Sequence, residues 1–460
     1  MSVNSTRRKF LKYSATGCAL SFGGMSIFCK KSENRLPNIF LFISDDHGIF
    51  ETGCYGNDTV QTPHIDQLAS EGLRFTRMFT AEAMCSPSRA MLYTGLFPHR
   101  NGLHQNHGQA KPDIKSLPHY LKALGYRVIL AGKIHVEPNS VFPFEYIEKK
   151  ETEKYISGNP DQPFCLIYAT KNPHAPYFPK PPSKGGHDPE QIKIPPYLID
   201  APKTREMVAA YYNKVKDMDQ ELGQCREQLQ KHGLEDNTVF IYTSDHGPGL
   251  PFAKWTLYEA ALNVPFIVKW PGVIQNNTVT HAMCQFTDVV PTLIEMTGGA
   301  VPDNLDGCSF LNVLKGSSSN HQEYIYGTHT NQGINQGSEF PIRSIRSSRY
   351  KYIRNLKPEH TFTNNITEGH SPRPGLDADE AWYEWMRLAE NNPSTAERMQ
   401  HYQQRPPEEL YDLEHDPHEQ NNLINAPEIQ RALKTLEKKL RTWMEQQQDP
   451  LLAEWTKNKS

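Results

Sequence analysis

The stretch NIFLFISDD, residues 38–46, gives the clearest indication of the fold of this chain. A short apolar run that is bounded by polar residues is typical of a strand buried on both faces. The run ends in two aspartates, Asp45 and Asp46. The stretch therefore predicts a buried strand with a polar site at its carboxyl end.

Further apolar runs follow the first one and alternate with helical patterns. We predict strands over residues 126–133, 163–170, 237–245 and 263–270. A helix is predicted over residues 62–72, with Thr62 as its N-cap and Pro63 at its first position. A second helix is predicted over residues 116–125, capped by Ser116. This alternation predicts an α/β fold, with a large, mainly parallel sheet and helices on both faces.

The last third of the chain has a different pattern. Residues 341–356 predict a hairpin, and residues 408–423 add an extended stretch. Residues 427–446 predict a helix with one apolar stripe. Together they predict a smaller C-terminal α+β module, with an antiparallel sheet covered by that helix. The polar, Pro-rich segment 357–407 between them is predicted to be a long insertion near the active face.

Composition and patterning together predict three segments. We expect an export signal over residues 1–35, a large α/β domain over 36–325 and a C-terminal α+β subdomain over 326–460. With 460 residues, 37% hydrophobic and 22% charged, the chain is long enough for one large domain and a smaller one. The net charge of -3 gives no reason to expect a nucleic-acid partner, so any anion-binding site must be local.

The N-terminal segment has the layout of an export signal. Residues 5–32 contain a basic start, a modest apolar stretch and a polar restart, which is too short and too weakly apolar for a transmembrane segment. Arg7 and Arg8 resemble a twin-arginine export signal. We expect the protein in the periplasm or at the cell surface. Lipid attachment at Cys29 and a plain cleaved peptide are both open alternatives.

The eight cysteines are scattered along the chain without a CxxC pair. This spacing is evidence against a zinc ribbon and against a dense disulfide scaffold. One or two disulfides, or free buried cysteines, are both compatible with it.

Polar clusters follow four of the predicted strands, at residues 45–47, 132–135, 171–174 and 244–247. Open α/β sheets bind ligands at the carboxyl ends of their strands, so we expect these clusters to converge on one rim. The carboxylates of Asp45, Asp46 and Asp245 would repel one another there unless a cation lay between them. Hard oxygen ligands suit calcium or magnesium. The alternative is that one aspartate of each pair caps a helix.

Basic side chains flank the same strand ends, and they are Arg89, Lys133, His135, His174 and Lys254. Fixed cations around a metal form a site for a tetrahedral oxyanion, phosphate or sulfate, although each alone could be a surface charge. Cys85 stands at the start of a predicted helix, where the dipole favours negative charge. It could be a thiolate nucleophile, but an oxygen nucleophile suits a hard cation better.

The run Cys85-Ser86-Pro87-Ser88-Arg89 resembles the C-x-P-S-R signature of the type I sulfatases, a family of the alkaline-phosphatase superfamily. In that family the cysteine is oxidised to formylglycine by a formylglycine-generating enzyme. Residues 102–108, 131–146 and 410–423, together with the hairpin, are similar to the N-sulfoglucosamine sulfohydrolases, the heparan sulfamidases. Two residues depart from that branch, because His246 replaces an Asn and Lys254 replaces an Arg.

The resemblance implies an alkaline-phosphatase-like fold, a catalytic sulfatase domain over residues 36–325 and a set of site residues. One Ca²⁺ would be bound by Asp45, Asp46, modified Cys85, Asp245 and His246. The catalytic residues would be Cys85, Arg89, Lys133, His135, His174 and Lys254.

The same resemblance implies a mechanism. One hydroxyl of the hydrated aldehyde, near Arg89, would attack sulfur while Lys133 and Lys254 neutralise the sulfuryl oxygens. His174 would protonate the leaving atom, and His135 would take the proton of the second hydroxyl so that sulfate leaves.

The implied substrate is a sulfated oligosaccharide or polysaccharide, cut at its end. N-sulfoglucosamine of heparin or heparan sulfate is the first expectation. An O-sulfated sugar of another polysaccharide, such as an algal one, and a phosphate or phosphonate ester are alternatives. A non-catalytic glycan-binding protein would require the motif to be broken, and it is intact. Expected sugar contacts are His104, His107, His329 and Arg343, for which a structural role in loops is the alternative.

Overall fold

The computed structural model describes residues 35–158, 162–334, 337–368 and 378–457. The predicted export signal lies outside the described residues except for Arg35, and so do Cys18 and Cys29. Contacts join Leu36–Ser460 in one compact unit, and the boundary at residue 325 stays a prediction. No helix in the described ranges is sufficiently long and apolar to span a lipid bilayer.

A large sheet forms the centre of the described part of the chain. Its nine strands are β1 (Asn38–Asp45), β2 (Leu73–Phe79), β3 (Arg127–Gly132), β4 (Glu145–Ile147), β5 (Phe164–Pro173), β6 (Thr238–Ser244), β7 (Asn263–Lys269), β8 (Thr278–Thr280) and β9 (Cys284–Gln285). The strand order is β4-β3-β5-β1-β6-β7-β2-β8, and β9 also pairs with β2. Strands β4, β3, β5, β1 and β6 are all parallel, so the predicted mainly parallel sheet is confirmed.

A second, smaller sheet follows towards the C-terminus. Its strands are β10 (Ile325–His329), β11 (Ile342–Arg346), β12 (Tyr350–Asn355) and β13 (Glu408–Asp412). They pair in that order, and each pair is antiparallel. The predicted hairpin is the β11–β12 pair, and the predicted extended stretch supplies β13. This confirms the antiparallel sheet of the C-terminal module.

Helices pack around both sheets. The α-helices of the described residues are α1 (Pro63–Ser70), α2 (Cys85–Thr94), α3 (Pro98–Asn101), α4 (Leu117–Ala123), α5 (Thr152–Ser157), α6 (Pro202–Lys231), α7 (Glu259–Leu262), α8 (Val289–Met296), α9 (Leu311–Leu314), α10 (Asn365–Glu368), α11 (Ala378–Ala389), α12 (Pro393–Gln403), α13 (Gln430–Gln446) and α14 (Glu454–Lys457). Short 3-10 helices span Ile49–Glu51, Gly53–Tyr55, Lys149–Glu151, Pro182–Lys184, Pro189–Gln191, Glu235–Asn237, Phe286–Asp288 and Pro427–Ile429.

Strand β1 separates two hydrophobic cores. Its side chains alternate between the faces of the sheet, so Phe40 and Phe42 enter one core and Ile39 and Leu41 enter the other. The first core contains the apolar faces of α1 and α6. The second contains those of α4, α8 and α13. Helices therefore cover both faces of the large sheet, as the apolar run of β1 predicts.

The large sheet differs from the prediction in the direction of one strand and in the strands that the patterns did not predict. The short strands β4, β8 and β9, of two or three residues each, are among the latter. Strand β7 runs antiparallel to both of its neighbours. Strand β2 was missed, because a bulge between Phe75 and Met78 places polar residues where strict alternation would place apolar ones. Among its described residues, the Pro-rich segment 357–407 contains the helices α10, α11 and α12.

Candidate functional site

The ends of four parallel strands define one edge of the large sheet. Strand β1 lies between β5 and β6, and β3 lies beyond β5. Asp45 is the last residue of β1, Lys133 follows β3, His174 follows β5 and Asp245 follows β6. Because all four strands are parallel, their carboxyl ends meet at the same edge. The structure thus brings the predicted polar clusters together.

Helix α2 places Cys85 and Arg89 beneath this edge. Cys85 is the first residue of the buried helix α2, and Gly95 ends it in the left-handed conformation at φ +70°. Residues four positions apart share one helix face, so the side chain of Arg89 lies beside that of Cys85. Arg89 is fully buried and donates from Nε and Nη2 to Asp245 Oδ2, at 3.1 and 2.9 Å. Ser88 also donates to the carbonyl oxygen of Asp245.

Each buried carboxylate of the site has a cationic partner. Lys133 Nζ lies 2.6 Å from Asp45 Oδ1, and Lys254 Nζ lies 2.8 Å from both oxygens of Asp46. Burial raises the pKa of Asp45, but the charges of Lys133 and Arg89 outweigh burial and hold that pKa well below its usual range. Burial lowers the pKa of Lys254, but the charge of Asp46 outweighs burial and raises it.

The cations also surround Cys85. Its Sγ lies 3.4 Å from His246 Nε2 and 3.7 Å from Lys254 Nζ. The carboxylate oxygen Oδ1 of Asp45 also lies 3.7 Å from this sulfur. Burial raises the pKa of the Cys85 thiol, but the charges of Lys133, Lys254 and His246 lower it well below its usual range. The surroundings of this side chain therefore stabilise negative charge.

The donor atoms around Cys85 fit a bound cation. Ligand atoms of Asp45, Cys85 and Asp245 lie within 4.8 Å of one another, and so do those of Asp46, Cys85 and His246. Three carboxylates are the donors that calcium or magnesium prefers. These residues are the predicted ligand set, and the structure brings all of them together.

The orientation of His246 also suits a metal ligand. His246 Nδ1 lies 2.9 Å from the carbonyl oxygen of Gly247, which can only accept, so Nδ1 carries the proton. Nε2 then faces Asp46 Oδ1 at 3.4 Å. Burial lowers the pKa of His246, but the charges of Asp245, Cys85 and Asp46 outweigh burial and raise it to about 9.

A cavity of about 270 Å³ opens above Cys85. Its walls are formed by Cys85, Asn106, His107, His135, His174, Lys254, Trp255, Gly333, Ile334 and Asn365. Sequence reasoning missed the side chains of Asn106, Trp255, Ile334 and Asn365. The only signal for Asn106 is its place in the stretch 102–108, whereas Asn365 comes from the insertion predicted near the active face.

The four expected sugar contacts lie in different places. His107 lines the cavity, and its Nδ1 lies 3.1 Å from His135 Nε2. His104 is half-buried and is not among the residues that line the cavity. His329 and Arg343 are fully buried.

His329 and Arg343 are buried because they take part in contacts that hold the second sheet together with the C-terminal segment. Arg343 donates from Nε and Nη2 to the carboxylate of Asp449, at 2.5 and 3.0 Å, and from Nη1 to the carbonyl oxygen of His329 at 3.1 Å. Through these bonds, the buried side chain of Arg343 connects the second sheet to the C-terminal segment. Neither His329 nor Arg343 is accessible to a sugar, and we do not include them in the substrate site.

No disulfide joins the cysteines of the described residues. Six cysteines carry free thiols there, and they are Cys54, Cys85, Cys165, Cys225, Cys284 and Cys308.

Comparisons with known proteins agree with this geometry. The model of the family described as Sulfatase matches residues 37–149 and 149–300, and the model described as N-sulphoglucosamine sulphohydrolase, C-terminal, matches residues 247–364. An "Ulvan-active sulfatase" of Formosa agariphila is 35% identical over 432 residues, which cover 90% of this chain and 81% of that protein. Human "N-sulphoglucosamine sulphohydrolase" is 28% identical over 476 residues, covering 90% of this chain and 91% of that protein.

A solved structure has a similar fold. A protein in complex with its substrate D-Glucosamine-2-N, 6-O-disulfate superposes with a TM-score of 0.68 at 20% identity, covering 90% of this chain and 99% of that one. The likeness at this identity concerns the fold alone. The family model, in contrast, spans more than half of the chain and includes Asp45, Cys85 and Asp245. The chain therefore belongs to the sulfatase family.

Proposed function

We propose that this sulfatase carries formylglycine at position 85, binds one Ca²⁺ and removes sulfate from the terminal sugar of a sulfated glycan. The observation that carries the proposal is the position of Cys85 at the base of a narrow cavity, with Lys254, His135 and His174 in its walls. A lysine cation and two imidazoles around a single reacting side chain provide the charge and the hydrogen-bonding groups that suit a sulfate group.

The donor atoms support the bound Ca²⁺, and the motif supports formylglycine at position 85. Asp45, Asp46, Asp245 and His246 would hold the ion, together with the modified side chain of residue 85. A bound Ca²⁺ supplies a fixed double positive charge next to the sulfate. Formylglycine supplies, as its hydrate, an oxygen nucleophile and a second hydroxyl that allows sulfate to leave. A serine or an unmodified cysteine has no second hydroxyl.

The remaining side chains have roles that follow from their positions. Lys133 and Lys254 lie close to Cys85 and would stabilise the charge of the sulfuryl oxygens, and buried Arg89 would hold the nucleophile in place. His174 is partly exposed in the cavity wall and would protonate the leaving oxygen or nitrogen. His135 would accept the proton of the second hydroxyl.

The size of the cavity supports action at the end of a chain. Its volume of about 270 Å³ lies below the range of about 300–1,000 Å³ that is common for small-molecule pockets. A single sulfated sugar suits a space of this size better than the middle of a polysaccharide. His107, Asn106 and Asn365 offer polar atoms for its hydroxyl groups.

Two terminal sugars are candidates. N-sulfated glucosamine is supported by the match of residues 247–364 to the sulfohydrolase C-terminal model and by the human relative. An O-sulfated sugar of an algal polysaccharide such as ulvan is supported by the higher identity, 35%, to the ulvan-active relative. The replacement of Asn by His246 leaves both open.

A panel of substrates tests the proposal. We would measure the release of sulfate or phosphate from N-sulfated glucosamine, ulvan oligosaccharides, an aryl sulfate and an aryl phosphate, with Cys85→Ala as the inactive control. We expect turnover of the aryl sulfate and of one of the two saccharides, which identifies the sugar. Faster cleavage of the aryl phosphate than of every sulfated compound would contradict the proposal and favour a phosphate or phosphonate ester hydrolase.

We also propose that the protein is exported and is matured by a formylglycine-generating enzyme. The support is the basic and then apolar layout of residues 5–32 and the intact motif at Cys85. Cell fractionation and mass spectrometry of the mature N-terminus test export, and they distinguish a lipid on Cys29 from plain cleavage.

A further inference from the structure

A second cluster of metal-ligating side chains lies outside the site described above. It consists of Asp288, Cys308 and His321, whose ligand atoms all lie within 4.8 Å of one another. Asp288 ends the 3-10 helix after β9, whereas Cys308 and His321 belong to the connection between α8 and β10. The cluster therefore lies where the chain leaves the large sheet and enters the second one.

The two distances that His321 makes in the cluster match those of a tetrahedral metal site. His321 Nε2 lies 3.2 Å from Asp288 Oδ2 and 3.7 Å from Cys308 Sγ. Bond lengths of about 2.3 Å for Zn–S and about 2.0 Å for Zn–N and Zn–O, at tetrahedral angles, place S and N about 3.6 Å apart and N and O about 3.3 Å apart. Both distances around His321 agree with this geometry.

A catalytic Cys-His-Asp arrangement does not explain the cluster. In such a triad, one ring nitrogen of the histidine faces the nucleophile and the other faces the carboxylate. Here the same nitrogen, His321 Nε2, faces both Cys308 and Asp288. A simple ion pair would account for the carboxylate but not for the thiol. The close approach of a carboxylate, a thiol and an imidazole to one another is expected of a chelate.

The surroundings hold the carboxylate in position without help from a metal. Asp288 is fully buried, and its Oδ1 accepts from the backbone N–H of Cys308 and from Gln322 Nε2, at 3.0 Å each. Its Oδ2 accepts from the backbone N–H of Gln285 at 2.9 Å. Partners of this kind orient metal ligands. Cys308 is exposed, which gives an ion a path of entry.

We propose that Asp288, Cys308 and His321 form a second metal site, for Zn²⁺, in which water completes the coordination. Thiolate and imidazole ligands favour zinc over calcium, which prefers oxygen. The ion joins the connection before β10 to the end of β9 and so stabilises the junction of the two sheets. The site is independent of the proposed function, because it shares no residue with the rim around Cys85.

Zinc content tests this proposal. Reduced protein is loaded with Zn²⁺ in the presence of excess Ca²⁺, dialysed and analysed for both metals. We expect one zinc more per chain in the wild type than in Cys308→Ser or His321→Gln. The controls Cys54→Ser and His281→Gln, which change a thiol and an imidazole elsewhere, should retain the wild-type zinc content. Equal zinc content in the wild type, Cys308→Ser and His321→Gln would overturn the proposal.

Cobalt substitution identifies the sulfur ligand. Co²⁺ bound to a thiolate gives a charge-transfer absorption band in the near ultraviolet, which oxygen and nitrogen ligands do not give. We expect this band in the wild type and in Cys85→Ala, and we expect its loss in Cys308→Ser. Circular dichroism establishes that each variant is folded. A band that survives in Cys308→Ser and disappears in Cys85→Ala would assign the metal to the catalytic rim and reject the second site.

Discussion

Lys133 donates hydrogen bonds to both carboxylate oxygens of Asp45, at distances of 2.6 and 2.7 Å. Asp45 ends β1 and Lys133 follows β3, and these strands lie on either side of β5. The sheet thus joins side chains that are 88 positions apart in the sequence. The ammonium group lies next to both a buried carboxylate and Cys85, where it can stabilise charge that develops on a sulfate.

Removal of this cation should slow the reaction. We expect Lys133→Ala to lower kcat on an aryl sulfate by about 10²–10³-fold, the usual effect of deleting one group that stabilises transition-state charge. Lys154→Ala, at an exposed position, is the control and should be fully active. Steady-state kinetics measure both. A Lys133→Ala enzyme with wild-type kcat would remove Lys133 from the mechanism.

Asp245 should be essential for both metal binding and stability. Asp245→Ala leaves the buried Arg89 guanidinium without its main partner, and loss of one side of a buried ion pair costs about 3–5 kcal/mol. The exposed pair of Asp200 and Arg205 is the matched control, and Asp200→Ala should cost less than about 1 kcal/mol. Elemental analysis and denaturant unfolding check the result. Stoichiometric calcium in Asp245→Ala would contradict the ligand set.

Position 85 should carry an aldehyde in protein from a host with the maturation enzyme. Peptide mass spectrometry should show the loss of the thiol at this position. Cys85→Ala should abolish turnover and leave the unfolding temperature nearly unchanged, whereas Cys54→Ala should remain active. Full activity of protein with an unmodified Cys85 thiol would exclude the proposed nucleophile.

The stability of the protein should depend on pH through Glu51. Burial raises the pKa of this carboxyl from 4.5 to about 7, although Tyr197 donates to it at 2.8 Å. The folded state therefore favours the protonated form, while the unfolded chain ionises above its own, lower pKa. Stability should fall as pH rises from about 4.5 to about 7 and then level off, by up to about 3 kcal/mol from this group.

Glu51→Gln isolates this contribution, because the amide imitates the protonated acid. Thermal unfolding of both proteins at pH 5 and pH 7.5 should show a smaller loss of stability in the variant. An identical loss in the two proteins would show that Glu51 does not titrate in this range.

Asn365 should affect the sugar and not the sulfate. Its side chain lines the cavity above Cys85 and reaches it from the insertion that contains α10. We expect Asn365→Ala to raise KM for the saccharide substrate several-fold and to leave aryl sulfate kinetics unchanged, because the aryl ester uses only the sulfate pocket. Exposed Asn391→Ala is the control. Equal losses on both substrates would assign Asn365 a structural role.

Local patterns in the sequence were sufficient for several elements. The apolar run before Asp45 predicted β1, and the capping residues of α4 predicted its start, because Ser116 forms a capping box with His119. Thr62 is the N-cap of α1 as predicted, although its hydroxyl accepts from the backbone N–H of Gly53 and not from the helix. Patterns of this kind depend on neighbours within a few residues, which the sequence shows directly.

The amino-acid sequence alone was sufficient for the α/β class, for the central strands β1, β3, β5, β6 and β7, and for the motif at Cys85. The pairing of these parts follows from tertiary contacts, which no local pattern shows. The antiparallel direction of β7, the burial of Arg343 against Asp449 and the arrival of Asn365 above Cys85 all depend on residues far away in the sequence. The cluster of Asp288, Cys308 and His321 also depends on how the chain turns between the two sheets. Spacing along a chain records local periodicity, whereas contacts between distant segments follow from the packing of whole layers.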